Sequence, residues 1–190
     1  MGKQILVAED ESLVRMDLVL MLQDAGYEVI GEAGDGEKAI ELAYQLKPDL
    51  IVMDIKMPKM NGLKASQIIS KTFNIPILLL TAYSQKEFID KAKQANIVGY
   101  LVKPVSEANL IPAVEIALNQ GAKTSEYEKK IELANKKLLD RKTIEKAKGV
   151  LMTRFNLGEE TAYNKMRQIS MNKQMALEKV AKQILLKYGS

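Results

Sequence analysis

Apolar and polar positions along the first two thirds of the chain follow two alternating periods. Short apolar runs occur at Gln4-Ile5-Leu6-Val7-Ala8, Glu28-Val29-Ile30-Gly31-Glu32-Ala33, Leu50-Ile51-Val52-Met53, Pro76-Ile77-Leu78-Leu79-Leu80 and Gly99-Tyr100-Leu101-Val102. Each is bounded by turn signals, the pattern of a strand buried in a parallel sheet. Stretches with helical spacing separate them. Ser12 caps a predicted helix to about Ala25, with Leu13, Met16, Leu20 and Met21 facing in and Gly26 as its stop. Asp35-Gly36 turns into a helix through Ala39, Ile40 and Ala43 that ends before Pro48. Further helices are expected through Ile68 and Ile69, from about Gln85 to Ala95, and from near Glu107 through Leu110, Val114 and Leu118. Strands alternating with helices in this way predict an α/β fold with helices on both faces of a parallel sheet. The expected architecture is a flavodoxin-like (βα)5 unit with strand order 2-1-3-4-5.

The strand pattern then stops. Gln120-Gly121-Ala122-Lys123-Thr124-Ser125 is the expected boundary. Beyond it Tyr127, Ile131, Ala134 and Leu138 fall at 4-3-4 spacing among Lys and Glu, which reads as a short coiled-coil seam over residues 121–140. Three further apolar stripes follow: Ile144, Ala147, Leu151 and Phe155; then Ala162, Met166 and Ile169; then Leu177, Val180, Ala181 and Ile184. The first is broken at Asn156-Leu157-Gly158. Together they predict an all-α three-helix bundle over residues 141–190, behind a first domain at 1–120.

Charge sharpens the division. Residues 1–118 carry 12 Lys and Arg against 16 Asp and Glu, a net of −4, whereas residues 119–190 carry 16 against 8, a net of +8. A basic half beside an acidic one suggests a polyanion partner for the second part. The chain has no Cys and no His, which removes disulfides, thiolate and imidazole metal sites, and imidazole catalysis. No apolar run is long enough to span a membrane, and Met1-Gly2-Lys3 enters a strand without a signal-peptide pattern. Cytoplasmic placement is the expectation.

Chemistry concentrates at strand ends, where open α/β sheets place their sites. The first run ends in Glu9-Asp10-Glu11, the third in Asp54, the fourth in Thr81-Ala82 and the fifth in Lys103-Pro104. Crowded carboxylates repel unless a hard cation joins them, and oxygen-only ligands that must also accept phosphate oxygens suit Mg²⁺. Asp54 is thereby the candidate nucleophile. These residues, with Met57-Pro58, Asn61-Gly62 and Tyr100 three positions before Lys103, resemble the receiver domain of two-component response regulators.

The resemblance implies that Asp54 accepts a phosphoryl group from a sensor histidine kinase, with Mg²⁺ held by Glu9, Asp10, Asp54 and the Lys56 carbonyl. It further implies that Lys103 pairs with a phosphoryl oxygen, that Thr81 hydrogen-bonds the group and that Tyr100 switches toward the space Thr81 leaves. A cis Lys103–Pro104 bond would aim the ammonium inward. Such a receiver is not an enzyme beyond losing its own phosphoryl group.

In the second part, Glu145-Lys146-Ala147-Lys148-Gly149-Val150-Leu151-Met152 and Ala162-Tyr163-Asn164-Lys165-Met166-Arg167-Gln168-Ile169-Ser170-Met171 resemble the ANTAR domain, an RNA-binding antiterminator module. The whole chain resembles the ANTAR response regulators, a group that includes the ethanolamine-utilisation antiterminator of Gram-positive bacteria. That implies binding to stem-loops in leader transcripts, prevention of transcription termination, and a homodimer when phosphorylated. Candidate RNA contacts are Lys148, Arg167, Ser170 and Met171, with Lys146 and Lys173 on phosphates. Two other classes stay open at this point. A DNA-binding response regulator would need a recognition helix for the major groove, and the last helix has three Lys but no Arg or Asn to aim at base edges. A protein-interaction adaptor would show no salt-dependent nucleic-acid binding.

Overall fold

The computed structural model describes residues 2–82 and 96–189. Its elements are β1 (Gln4–Ala8), α1 (Ser12–Asp24), β2 (Glu28–Ala33), α2 (Gly36–Leu46), β3 (Leu50–Asp54), α3 (Gly62–Phe73), β4 (Ile77–Thr81), β5 (Ile97–Val102), α4 (Glu107–Phe155), α5 (Glu159–Asn172) and α6 (Leu177–Tyr188). The helix expected from Gln85 to Ala95 lies outside the described residues.

The five strands form one parallel sheet in the order β2-β1-β3-β4-β5. β3 and β4 are buried throughout, while β2 and β5 at the edges are only partly covered. Alternate residues of the inner strands feed two cores. Leu6, Ala8, Ile51, Met53, Ile77 and Leu79 pack against Ala39 and Ala43 of α2 and Ala65 and Ile69 of α3. Ile5, Val7, Leu50, Val52, Leu78 and Leu80 pack against Leu18 and Leu22 of α1 and Leu110, Val114 and Ala117 of α4. Apolar runs with no polar alternation follow from this burial on both faces.

Register sets the chemistry at one edge of the sheet. Ala8 pairs with Met53, Asp54 with Leu80, and Thr81 with Val102. Glu9, Asp54, Thr81 and Lys103 therefore leave their strands at the same carboxyl-terminal edge. The loop after Asp54 is pinned by the Gly62 N–H, which donates to the Ile55 carbonyl at 2.9 Å. A Cβ on Gly62 would overlap the Asp54 carbonyl, so only glycine lets α3 start so close to that strand. Asn61 caps α3 by accepting from the Lys64 N–H at 2.9 Å.

One expectation needs correction. Leu13, Met16 and Leu20 of α1 face solvent, Leu13 at 74% exposure, while the buried pair is Leu18 and Leu22. Val14, Val19 and Met21 are partly covered beside them. The α1 sequence is apolar almost all round, so several stripes fit a helical period and spacing alone does not choose the phase. The expected boundary stretch, residues 120–125, is helical. α4 is one helix from Glu107 to Phe155. A Cβ on Gly121 would come within 2.6 Å of the Pro76 ring, so this glycine serves close packing rather than a turn.

Compact units nevertheless meet at Ser125 and Glu126. In the second unit, Ala147 and Leu151 of α4 pack with Ala162 and Met166 of α5 and Val180, Ala181 and Ile184 of α6. Asn156 and Gln174, both with positive φ, turn the chain between the helices. Among the described residues, no helix is long and apolar enough to cross a membrane.

The phase of α1 can be tested by truncation. Leu22→Ala should cost about 2–5 kcal/mol of stability, whereas Leu13→Ala should change it by less than about 0.5 kcal/mol. Urea denaturation of both variants measures this, and equal losses would reject the observed phase.

Candidate functional site

Burial and charge meet at the carboxyl-terminal edge of the sheet. Glu9 is fully buried, Asp54 and Thr81 nearly so, and Asp10 stands exposed at the rim. Carboxylate oxygens of Glu9, Asp10 and Asp54 can lie within 4.8 Å of one another. The Lys103 ammonium pairs with two of them. Lys103 Nζ is 2.6 Å from Glu9 Oε2 and 3.1 Å from Asp54 Oδ1.

Backbone donors complete the fixing. The Lys56 N–H donates to Asp54 Oδ2 at 3.1 Å, so both oxygens of Asp54 are held. The Glu11 N–H donates to Glu9 Oε1 at 3.3 Å. Lys103 is placed by its own N–H, which donates to the Thr81 carbonyl at 2.8 Å. The Lys103–Pro104 peptide is cis.

Burial pushes the Asp54 carboxyl above its ordinary range; Lys103 opposes this, and the charge of Asp10 adds to it. Glu9 is likewise raised by burial, against Lys103 and with the charge of Asp54. For Lys103, burial pulls the ammonium down, but its hydrogen bonds to Glu9 and Asp54 outweigh that and hold it above the usual lysine value. Three carboxylates thus crowd together at this edge. Hard oxygen donors in excess fit a small divalent cation.

Sequence reasoning named these residues but missed their supports. Arg15 donates from Nη1 to the Glu9 carbonyl at 2.6 Å and pairs through Nε with Glu32 at 3.1 Å. Asp35 caps α2 by accepting from the Lys38 N–H at 2.8 Å, and its other oxygen accepts from Lys59 Nζ at 2.7 Å. The Lys59 hydrogen bond, helped by the Lys38 N–H, holds the Asp35 carboxyl below its usual range. Lys59 lies in the loop after β3, so this pair ties that loop to the start of α2. A turn at Asp35-Gly36 was legible; a partner 24 residues away leaves no periodic signal. Tyr100 lies on β5, 53% exposed.

In the second unit, Tyr163, Arg167 and Met171 fall at i, i+4 and i+8 on the exposed side of α5, with Met171 at 69% exposure. Lys146 and Lys173 are exposed as well. Lys148 is different. Its side chain is only 12% exposed and pairs with Glu145 at 2.6 Å and Glu159 at 2.7 Å, bridging the end of α4 to the start of α5. The Ser170 hydroxyl donates to the Met175 carbonyl at 2.5 Å, closing the turn from α5 to α6.

Residues 5–115 match the response regulator receiver domain and residues 132–185 the ANTAR domain. This chain is an ANTAR-containing response regulator. The transcriptional regulatory protein PdtaR of Mycobacterium tuberculosis is 40% identical over 188 residues, spanning 99% of this chain and 92% of its own length. The chemotaxis protein CheY of Thermotoga maritima is 38% identical over 115 residues, which are 60% of this chain and 96% of that protein. Among solved structures, the chemotaxis protein CheY4 of Vibrio cholerae superposes with a TM-score of 0.59 at 30% identity, covering 62% of this chain and 99% of that one. The receiver–ANTAR chain is thus a signalling regulator of transcription and not an enzyme.

The receiver pocket carries a stability cost that can be measured. Because Glu9 and Asp54 have raised carboxyl pKa values, their contribution is most favourable at low pH and is lost as pH rises through their raised range. Asp54→Asn removes one buried charge and leaves Lys103 paired with Glu9. In the absence of divalent cations it should stabilise the fold at neutral pH by about 0.5–2 kcal/mol. That gain should shrink on acidification through the same range. Denaturation midpoints at several pH values test it, and a variant less stable than wild type at neutral pH would contradict the electrostatic account.

Proposed function

We propose that this response regulator accepts a phosphoryl group on Asp54 from a sensor histidine kinase and then binds stem-loops in leader RNA, preventing termination of transcription. The observation that carries the reading is Asp54 itself, buried at a strand end with each oxygen held and with Lys103 against it. Such fixing places a weak nucleophile without further reorganisation, and phosphoryl transfer is chiefly positioning and charge stabilisation. An Asp54 oxygen attacks phosphorus as the P–N bond to the donor imidazole breaks. The imidazole leaves with the bonding electrons and takes up a proton, and an aspartyl phosphate remains.

Glu9, Asp10, Asp54 and the Lys56 carbonyl are the proposed ligands of Mg²⁺. When bound, Mg²⁺ supplies positive charge to the transferring oxygens. Lys103 pairs with one phosphoryl oxygen and the Thr81 hydroxyl donates to another. Tyr100, half exposed on β5, then turns toward the space beside Thr81. The kinase partner and the cytoplasmic setting belong to the same reading.

For output, the face of α5 that presents Tyr163, Arg167 and Met171 is the proposed site for loop bases. An aromatic ring, a planar cation and a polarizable thioether offer stacking surfaces to unpaired nucleotides. Lys146 and Lys173 contact phosphates. Lys148 and Ser170, both engaged within the bundle, hold its helices in place and act on RNA through that packing. The net charge of +8 over residues 119–190 supports a polyanion partner there.

Incubation with a small phosphodonor and Mg²⁺ should label wild type with an acid-stable, base-labile phosphoryl group and leave Asp54→Ala unlabelled. Gel shifts should show the labelled protein binding an RNA hairpin more tightly than the unlabelled one, and duplex DNA hardly at all. Equal labelling of both proteins would remove Asp54 from its role. Preference for duplex DNA would move the output to a different class.

The switch is proposed to work through a homodimer. Tyr127, Ile131, Ala134 and Leu138 are all exposed on α4, Ile131 at 60%. About two heptads is too short for strong association alone, so a modest bias from the receiver can shift the equilibrium. Sedimentation should show phosphodonor raising the dimer fraction of wild type but not of Ile131→Asp. An unaltered dimer fraction in the variant would take the seam out of the mechanism.

A further inference from the structure

One glycine in the second unit is not required by the fold. Gly149 lies inside α4, six residues from its end, where glycine is unfavourable relative to alanine. A Cβ placed there would have no neighbour within 4 Å, and the position is exposed. No internal close approach explains the choice. Gly149 instead forms the floor of an open groove of about 660 Å³ between the end of α4 and the end of α6.

The groove's chemistry is one-sided. Lys146, Gly149, Thr153 and Arg154 follow one another along the same side of α4, and Tyr188 of α6 forms the opposite wall. Among the described residues, none that line it is acidic. The Thr153 hydroxyl donates to the Gly149 carbonyl at 3.0 Å, so that backbone oxygen does not repel an incoming anion unpaired. Two cations flank the Tyr188 ring, with the Arg154 guanidinium 5.7 Å and the Lys187 ammonium 5.2 Å from its centroid. Phe155 meets the same ring edge-on at 5.3 Å. In a chain with only 5% aromatic residues, one of them lines this cleft and another braces its ring.

We propose that this α4–α6 groove is a second RNA-contact surface, distinct from the exposed face of α5, which seats one unpaired nucleotide. Its phosphate lies between Lys146 and Arg154, its base stacks on the Tyr188 ring in the place the Arg154 guanidinium leaves as it turns to that phosphate, and its backbone passes over Gly149. The assignment rests on the RNA reading above. Three features select this occupant. The cations provide for phosphate, the ring provides for any base, and a bare helix backbone lets a sugar-phosphate chain approach more closely than a methyl group would allow. The volume is that of a site for a molecule of nucleotide size.

Gly149→Ala makes an unusual test because the fold should welcome it. In the full chain its melting temperature should equal or exceed that of wild type, while its Kd for an RNA hairpin should rise at least tenfold. Tyr188→Leu should weaken binding about tenfold, and Arg154→Ala should make the salt dependence of binding shallower by about one unit of slope. Arg167→Ala, measured alongside, reports the α5 face independently. If Gly149→Ala and Tyr188→Leu bind hairpins within twofold of wild type while folded, the groove is overturned, even where Arg167→Ala has lost binding and the α5 face stands. Wild type that binds no hairpin overturns both. Gly149→Ala that changes the dimer fraction and not RNA affinity would give the groove to a second copy of the chain, and equal protection of the protein by inorganic phosphate alone would make it a small-anion site; either result overturns the proposal.

Discussion

Burying two carboxylates beside one ammonium is the constraint on which the receiver unit depends. Glu9 and Asp54 leave adjacent strands at the same level because Ala8 pairs with Met53, and Lys103 enters from the other side of β4 because Thr81 pairs with Val102. The parallel register thus brings like charges together in a place of low polarity. Desolvation raises both carboxyl groups, and Lys103 opposes that shift in each without cancelling it. The rest of the unit is arranged to withstand this. The inner strands are apolar on both faces, Arg15 holds the Glu9 carbonyl, and Gly62 lets α3 start against the Asp54 backbone. A pocket of crowded carboxylates suits a ligand that brings positive charge, and the surrounding packing holds the Asp54 carboxylate in its place.

Much of this was legible before any coordinates. Uninterrupted apolar runs ending in Asp54, Thr81 and Lys103 specify inner parallel strands, and strand ends specify where the chemistry lies. What failed to show was phase and partnership. α1 is apolar on most of its circumference, so the stripe through Leu13, Met16 and Leu20 is as periodic as the one through Leu18 and Leu22; only the sheet surface beneath it decides. Gly121 resembles a break because glycine commonly ends helices, yet here it answers to Pro76, 45 residues earlier. Lys148 stands in the motif that carries the ANTAR resemblance, and nothing in that motif shows its pairing. Its two carboxylate partners, one of them across the turn at Asn156, become visible only when α4 and α5 are folded together. Asp35 and Lys59 are the same case in the receiver.

Three departures from local rules among the described residues differ in character. At the receiver pocket, two carboxylates are buried side by side. Along α4, Tyr127, Ile131 and Leu138 leave apolar surface to water. At Gly149, a helix gives up propensity with no packing return. Sequences that fold well are locally consistent, so departures of this kind concentrate where something outside the chain completes the structure. The proposed partners match the nature of each departure: positive charge for the pocket, an apolar helix for the seam, and a closely approaching polyanion for the basic groove.

These completions also differ in how strongly they can be regulated. A pocket destabilised by its own charges responds sharply to any event that changes that charge, because buried electrostatics are weakly screened. An exposed seam of about two heptads is too short to associate strongly, so under the proposed pairing a small free energy would move its population. The basic unit has no such balance of its own: its cations attract a polyanion at all times, and salt sets how strongly. Lys and Arg keep that charge throughout the physiological range, so any change in what the basic unit does has to come from geometry and not from titration of its own helices.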